Sequence, residues 1–262
     1  MDLPLPPLNE WAAPAGWQTI DFISDLHLSP STPRTFEAWA AHLLHGTADA
    51  MLLLGDLFEV WVGDDQRLRA FEQRCVEVLA ETVRRRHLGF MAGNRDFLVG
   101  AAMHEACGWH VLPDPSLIDA WGRRVLLSHG DVLCLADTEY QAFRTLSRGD
   151  SWQREFLARP LDERLTQAHA ARAASEAKKR STGVDPELWA DVDPAAAVAW
   201  MQACGARDLV HGHTHRPGSE ALGPDRLRHV LTDWDLDHDG PPRCGVLRLT
   251  RDGFSRVAPS TR

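Results

Sequence analysis

Asp25-Leu26-His27, Gly55-Asp56, Gly93-Asn94-Arg95-Asp96, Ser128-His129-Gly130-Asp131 and His211-Gly212-His213-Thr214-His215 are five polar clusters that each follow a short apolar run. Together they offer seven oxygen and nitrogen donors and no thiolate: Asp25, His27, Asp56, Asn94, His129, His213 and His215. That mixture suits borderline divalent ions such as Mn, Fe or Zn, not an all-oxygen Ca site. Seven donors are too many for one four-coordinate ion. Two ions about 3.5–4 Å apart, sharing one carboxylate, would use them. Alternation at a strand end lets Asp25 and His27 point at one ion, and the glycines let the backbone bend tightly beside it. Singly, the clusters read otherwise: DxH as a solvated loop or cap, GD as a turn. The five in this order carry the argument.

Clusters so distant in sequence meet only if the elements before them lie side by side. Apolar runs at 20–23, 51–54, 89–91, 125–128 and 209–210 read as strands, with 230–231 and 244–250 as closing strands. Helical periodicity covers 34–46, with Phe36, Trp39, Ala40 and Leu43 on one face. It also covers 67–86, with Leu68, Phe71, Cys75, Val78, Leu79 and Val83, and then 97–107, most of 138–180, and 194–204. The alternation predicts an α/β domain with a largely buried sheet. In such sheets ligands bind beyond the carboxyl ends of the strands, where the clusters fall. Residues 1–16 are Pro-rich and aperiodic and read as a flexible N-terminal arm, which leaves 17–262 as the domain.

The middle of the chain stands apart. Residues 141–182 carry nine basic and five acidic side chains, a net +4 in a chain whose total is −9. Trp152, Phe156, Leu157, Leu161 and Leu165 recur through it at helical spacing. The segment reads as a helical insertion between core strands. Its apolar series either packs the insertion on the core or lines a chamber.

Composition narrows the classes. The chain has 262 residues, 44% hydrophobic and 25% charged, an ordinary globular balance. A net charge of −9 argues against a nucleic-acid binder. No apolar run is long enough to cross a membrane, and MDLPLPPLNEW lacks the pattern of a secretory signal. Cys75, Cys107, Cys134, Cys204 and Cys244 are odd in number and widely spaced, which fits a reducing cytosol and not a disulfide framework.

The order DxH, GD, GNR, H, GHxH resembles the calcineurin-like metallophosphoesterase family. The blocks GDLFEVWVGDD (55–65), GNRDFLVG (93–100), SHGDVLCLADTEYQAFR (128–144) and HGHTHRP (211–217) resemble one branch of it more closely. That branch hydrolyses the pyrophosphate of a UDP-linked diacylated glucosamine in the lipid A pathway. The resemblance runs from about Trp17 to 217 and continues more weakly to the end. The fold it implies is a metallophosphoesterase sandwich, two sheets flanked by helices, with a helical lid inserted at 138–190.

By that resemblance two Mn2+ ions are expected, one held by Asp25, His27, Asp56 and His215 and the other by Asp56, Asn94, His129 and His213. Asp56 would bridge them. The catalytic set implied is Asp56, Asn94, Arg95 and His129, and the products are UMP and 2,3-diacylglucosamine 1-phosphate. Arg95 stands where many family members have His. A guanidinium stays charged and clamps phosphate oxygens, so its implied role is transition-state charge stabilisation. Asn94, Arg95, Asp137, Ser175, Lys179 and His213 would contact substrate. Asp137 reads equally as a helix N-cap, Lys178 competes with Lys179, and the lysines also read as a solvated basic run. His211 would support the site from behind, and the other histidines read as ordinary polar or core residues. Trp61, Asp64 and Asp65 read only as shaping their loop. The implied location is the cytoplasmic face of the inner membrane, peripherally attached through the lid. The competing reading is a general phosphodiesterase or phosphatase. The acidic stretch TDWDLDHDGPPRCG and the N-terminal arm depart from the branch's pattern.

Overall fold

The computed structural model describes residues 3–181 and 191–261; within the last turns before 182 the side chains of Ser175, Glu176 and 178–181 fall outside the described residues. The strands are β1 (Asn9–Ala12), β2 (Ile20–Ile23), β3 (Ala50–Leu54), β4 (His87–Met91), β5 (His110–Val111), β6 (Ser116–Ala120), β7 (Arg123–Leu127), β8 (Asp208–His211), β9 (Gly218–Ala221), β10 (Leu227–Val230), β11 (Val246–Thr250) and β12 (Gly253–Val257). The helices are α1 (Pro33–His45), α2 (Ala70–Val83), α3 (Ala101–Cys107), α4 (Thr138–Ser147), α5 (Asp150–Leu157), α6 (Leu161–Ser181) and α7 (Pro194–Cys204).

The strands make two six-stranded sheets, ordered β12-β11-β2-β3-β4-β5 and β1-β6-β7-β8-β10-β9. In the first, β2, β3 and β4 run parallel. In the second, β7, β8 and β10 do. The central strands are buried on both faces and mostly apolar, which is why most of them read as short apolar runs. Ile20, Phe22, Ala50, Leu52 and Leu54 face Ile118, Val125, Leu127 and Val210 across the space between the sheets. The alternate residues Ile23, Met51, Leu53 and Phe90 face outward and meet Trp39, Leu43, Cys75, Leu79 and Met103 from α1–α3. Leu117, Leu126 and Leu209 do the same against Ala197, Trp200 and Met201 of α7. Period-two alternation therefore builds a helix–sheet–sheet–helix stack.

Helix ends follow local chemistry. Pro33 and Pro194 open α1 and α7, where a missing N–H costs nothing. Asp193 caps α7 by accepting from Ala196 N at 2.9 Å. Gly205 closes it at φ 68°.

The described structure departs from the sequence reading in three places. Asn9–Ala12 is not a loose arm: it pairs in parallel with β6 and places Trp11 against Trp17. The helix expected over 67–86 begins at Ala70, because Asp64–Leu68 forms a 3-10 turn that leaves Leu68 63% exposed. Gln66 holds that turn through Val60 O and Val62 N. The helix expected over 97–107 begins at Ala101, since Gly100 N and Met103 N are held by Asp64. The insertion is helical as expected and consists of α4, α5 and α6. Phe156 is buried in the outer core with Trp152 stacked on it at 4.7 Å, and Leu161 and Leu165 pack beside them. Leu157 alone of the series is 40% exposed.

One buried ion pair ties the chain's ends together. Arg248 on β11 donates from Nε and Nη2 to both oxygens of Asp21 on β2, at 2.7 and 2.8 Å. Asp21 is buried, with His42 of α1 at 3.6 Å. Arg248→Leu strands that carboxylate and is expected to cost about 3 kcal/mol in urea unfolding, because an uncompensated buried charge dominates the loss. The double variant with Asp21→Asn is expected to recover most of it; a loss equal to the sum of the single changes would contradict this account.

Candidate metal centre

The carboxyl ends of β2, β3 and β4 and of β7 and β8 open onto one rim of the sandwich. Asp25 and His27 follow β2, Asp56 follows β3, and Asn94 and Arg95 follow β4. His129 follows β7, and His213 and His215 follow β8. The backbone there is unusual. Asp25 (φ 52°), His27 (47°), Asp56 (53°), His213 (66°) and His215 (54°) are left-handed, and among described non-glycine residues only Trp121 joins them. Each such residue costs roughly 1–2 kcal/mol, so the folded chain maintains this strain where donors must turn inward.

Glycines let the loops interlock. A Cβ at Gly93 would strike Asp56, and one at Gly212 would strike Asp25 and Ser24. At Gly55 (φ 91°) it would strike the His129 ring.

The donors form two groups. Asp25, His27 and His215 have ligand atoms within 4.8 Å of one another, as do Asp56, His129 and His213. His27 Nε2 lies 3.3 Å from His215 Nε2, which is 3.4 Å from Asp25 Oδ1. In the second group Asn94 Oδ1 lies 3.0 Å from His129 Nε2 and 2.8 Å from His213 Nδ1. His129 Nε2 is 3.6 Å from Asp56 Oδ1. His129 Nδ1 faces the Leu54 carbonyl at 2.9 Å; donating there leaves Nε2 with its lone pair turned to the centre. Imidazole and carboxylate donors crowded in this way fit divalent cations of the transition series.

Backbone amides hold the carboxylates. His213 N donates to both oxygens of Asp25 at 3.0 Å, and Arg95 N to Asp56 Oδ1 at 2.8 Å. Asp96, fully buried, accepts from Leu57 N and Gly93 N at 2.7 Å each and pins the β3 and β4 loops together. Burial, reinforced by the Asp56 carboxylate, pushes Asp96 up to about 6. Burial works against the charged form of Asp25, yet the surrounding imidazoles, His215 first, hold it well below the usual carboxylate range. Burial lowers His129, but Asp56 and Asp25 outweigh it and raise the ring to about 9. His213 is pushed down to about 4 by burial and by the nearby His129.

Neighbours that the spacing did not reveal hold the donors from outside. Glu59 Oε2 lies 3.2 Å from His27 Nδ1, and Asp233 Oδ2 lies 3.7 Å from His215 Nδ1. Asp131 anchors the loop after His129 and takes Arg144 Nε at 2.9 Å, the Tyr140 hydroxyl, and Arg148 at 3.7 Å. Asp96 and Asp131 stood beside donors in the sequence, and that adjacency was a usable signal. Glu59 and Asp233 offered none.

The seven expected ligands thus come together. Arg95 stands at their edge, its Nε 4.0 Å from Asp56 Oδ2, with 27% of its side chain exposed. Asp137 caps α4, accepting from Tyr140 N at 3.0 Å, which is the second of the two roles its position suggested. His211 is buried behind the β8 loop, where Arg228 Nε reaches its Nε2 at 2.8 Å. Burial and that guanidinium press it down to about 3. The side chains of Ser175, Lys178 and Lys179 lie outside the described residues.

With that geometry in place, the chain belongs to the calcineurin-like phosphoesterase family, whose profile matches residues 18–217. Its likeness to individual relatives is narrower. It is 44% identical over 240 residues to a UDP-2,3-diacylglucosamine hydrolase of Bordetella pertussis, covering 88% of this chain and 91% of that one. A protein of the same name from Xanthomonas oryzae pv. oryzae is 43% identical over 244 residues, 89% of this chain and 96% of that one.

Because a methyl group at Gly93 would overlap Asp56, Gly93→Ala is expected to abolish divalent-metal retention, measured by elemental analysis after dialysis, while far-UV circular dichroism stays native. Full retention would show that the Asp56 loop can give way.

Proposed function

We propose that the protein is a UDP-2,3-diacylglucosamine hydrolase of lipid A biosynthesis, cleaving the pyrophosphate to UMP and 2,3-diacylglucosamine 1-phosphate. The carrying observation is the convergence of two donor groups on one rim, in a chain whose relatives of that name match it almost end to end. Asp25, His27, Asp56 and His215 would hold one Mn2+, and Asp56, Asn94, His129 and His213 a second, with Asp56 shared. Two such ions neutralise phosphoryl charge and acidify water at neutral pH.

The chain's own groups do the remaining work. The Asn94 amide oxygen lies between ring nitrogens of His129 and His213, where all three would face one ion. Arg95 is tethered through its backbone at Asp56, and its partly exposed guanidinium suits two phosphate oxygens. It stays charged, so it binds and orients the pyrophosphate and does not move a proton. His213, Asp137, Ser175 and Lys179 complete the proposed substrate contacts. The lid borders this site: Arg148 of α4 donates to Gly93 O at 3.2 Å and stacks over Phe97 at 4.0 Å.

Attachment to the cytoplasmic face of the inner membrane is part of the proposal. Phe143, Leu146 and Leu157 are 46%, 60% and 40% exposed on α4 and α5, in the segment with net positive charge. Apolar side chains beside basic ones suit an anionic lipid surface. No helix among the described residues is long and apolar enough to cross a membrane.

Purified protein with UDP-2,3-diacylglucosamine and Mn2+ is expected to release UMP, and EDTA to stop it. Arg95→Ala is expected to lower kcat about 10²–10³-fold with metal content unchanged. Turnover of bis-p-nitrophenyl phosphate without UMP from the lipid would overturn the substrate and leave the metal centre standing.

A further inference from the structure

One carboxylate lies between the lid and the metal centre. Glu59 follows β3, and its backbone N–H donates to Leu28 O at 3.1 Å, which fixes it beside the loop that carries His27. Its two oxygens face different ways. Oε2 lies 3.2 Å from His27 Nδ1. Oε1 forms an ion pair with Arg172 on α6. The Glu59 side chain is 21% exposed and Arg172 27%, so the pair is largely shielded from water. The other nitrogen of His27, Nε2, points at His215 Nε2, 3.3 Å away.

The same stretch anchors the lid twice more. Arg164 of α6, 3% exposed, donates to Val62 O and pairs with Asp65. Asp162 pairs with Arg69. These ties are polar and lie along one helix; of the three, the one through Glu59 continues inward to a metal-ligand candidate.

We propose that Glu59 is a positioning residue that couples the seating of lid helix α6 to the orientation of His27. A carboxylate at Nδ1 keeps the proton there and makes Nε2 the ligand atom. A guanidinium at the other oxygen gives that carboxylate a second charged partner, from the lid. When α6 lifts, Glu59 loses its outer partner and His27 loses a fixed one. Coupling of this kind is reciprocal: an ion bound at His27 holds the lid down as much as a seated lid tightens the ion. The inference rests on the metal-centre reading above.

The test is Mn2+ binding to the full chain, followed by electron paramagnetic resonance of the free ion. Wild type is expected to fill two sites. Glu59→Gln is expected to weaken one of them about 10–100-fold. Arg172→Met, which removes the lid partner of Glu59, is expected to weaken that same site by about 5-fold, and the double variant to be no weaker than Glu59→Gln. Arg69→Met cuts another lid tie and is expected to leave Mn2+ affinity unchanged. Hydrogen exchange supplies a second readout: amides of 161–174 are expected to slow on adding Mn2+ in wild type and not in Glu59→Gln. Wild-type affinity in Arg172→Met, multiplying effects in the double variant, or an equal loss in Arg69→Met would each overturn the coupling. A wild-type chain that takes up no Mn2+ would instead overturn the metal centre, and the coupling with it.

Discussion

The rim of the sandwich solves a problem of crowding. Asp25, Asp56, Asp96 and Asp131 are all buried there, and so are His129 and His211. Buried carboxylates repel one another and lose their water, so each must be met by fixed donors. The chain supplies those donors mostly from its backbone: His213 N for Asp25, Arg95 N for Asp56, and Leu57 N with Gly93 N for Asp96. Asp131 is met instead by side chains of α4. Amides can point inward only where loops turn abruptly, and that requirement explains why left-handed backbone gathers at the ligand positions. The loops, in turn, need parallel strands ending at a common level, which the two packed sheets provide.

The block from Gly55 to Asp65 does more than supply the Asp56 carboxylate. Asp56 faces the metal centre, Glu59 links His27 to the lid, and Asp64 satisfies the first amides of α3. Asp65 takes Arg164. Trp61 packs on Phe58, ring centroids 4.6 Å apart and tilted by 33°, beneath them. One short loop thus joins a strand end, a helix start and the insertion. Its composition is dense in acids because each acid answers a different neighbour.

Much of this was legible from residue types alone. The donors announced themselves because His, Asp and Asn beside Gly at strand ends have few other uses in combination. The central strands were legible because burial on both faces leaves few polar residues in them; Asp21 in β2 is an exception, and Arg248 meets it. Asn9–Ala12 was not: a four-residue edge strand with alternating exposure looks like the Pro-rich arm around it. The β6–β7 hairpin was also hidden, since its turn is Trp121-Gly122, both at positive φ, and lacks the usual Asn-Gly signature. Glu59 and Asp233 were invisible for a different reason. Their roles depend on tertiary neighbours, and no local spacing marks a carboxylate that will stand behind a particular imidazole.

The pairing of Asp21 with Arg248, 227 residues apart, has a consequence for biosynthesis. β2 lies inside its sheet, between β3 and β11. During translation β2, β3 and β4 emerge early, yet one edge of β2 stays open until nearly the whole chain has been made. His213 and His215 also arrive late, after the lid. The nascent chain therefore carries an unpaired sheet edge, and each donor group lacks one histidine, until its late segments are made. Both are completed within the last fifth or so of translation, so folding and metal capture close together as a single late event.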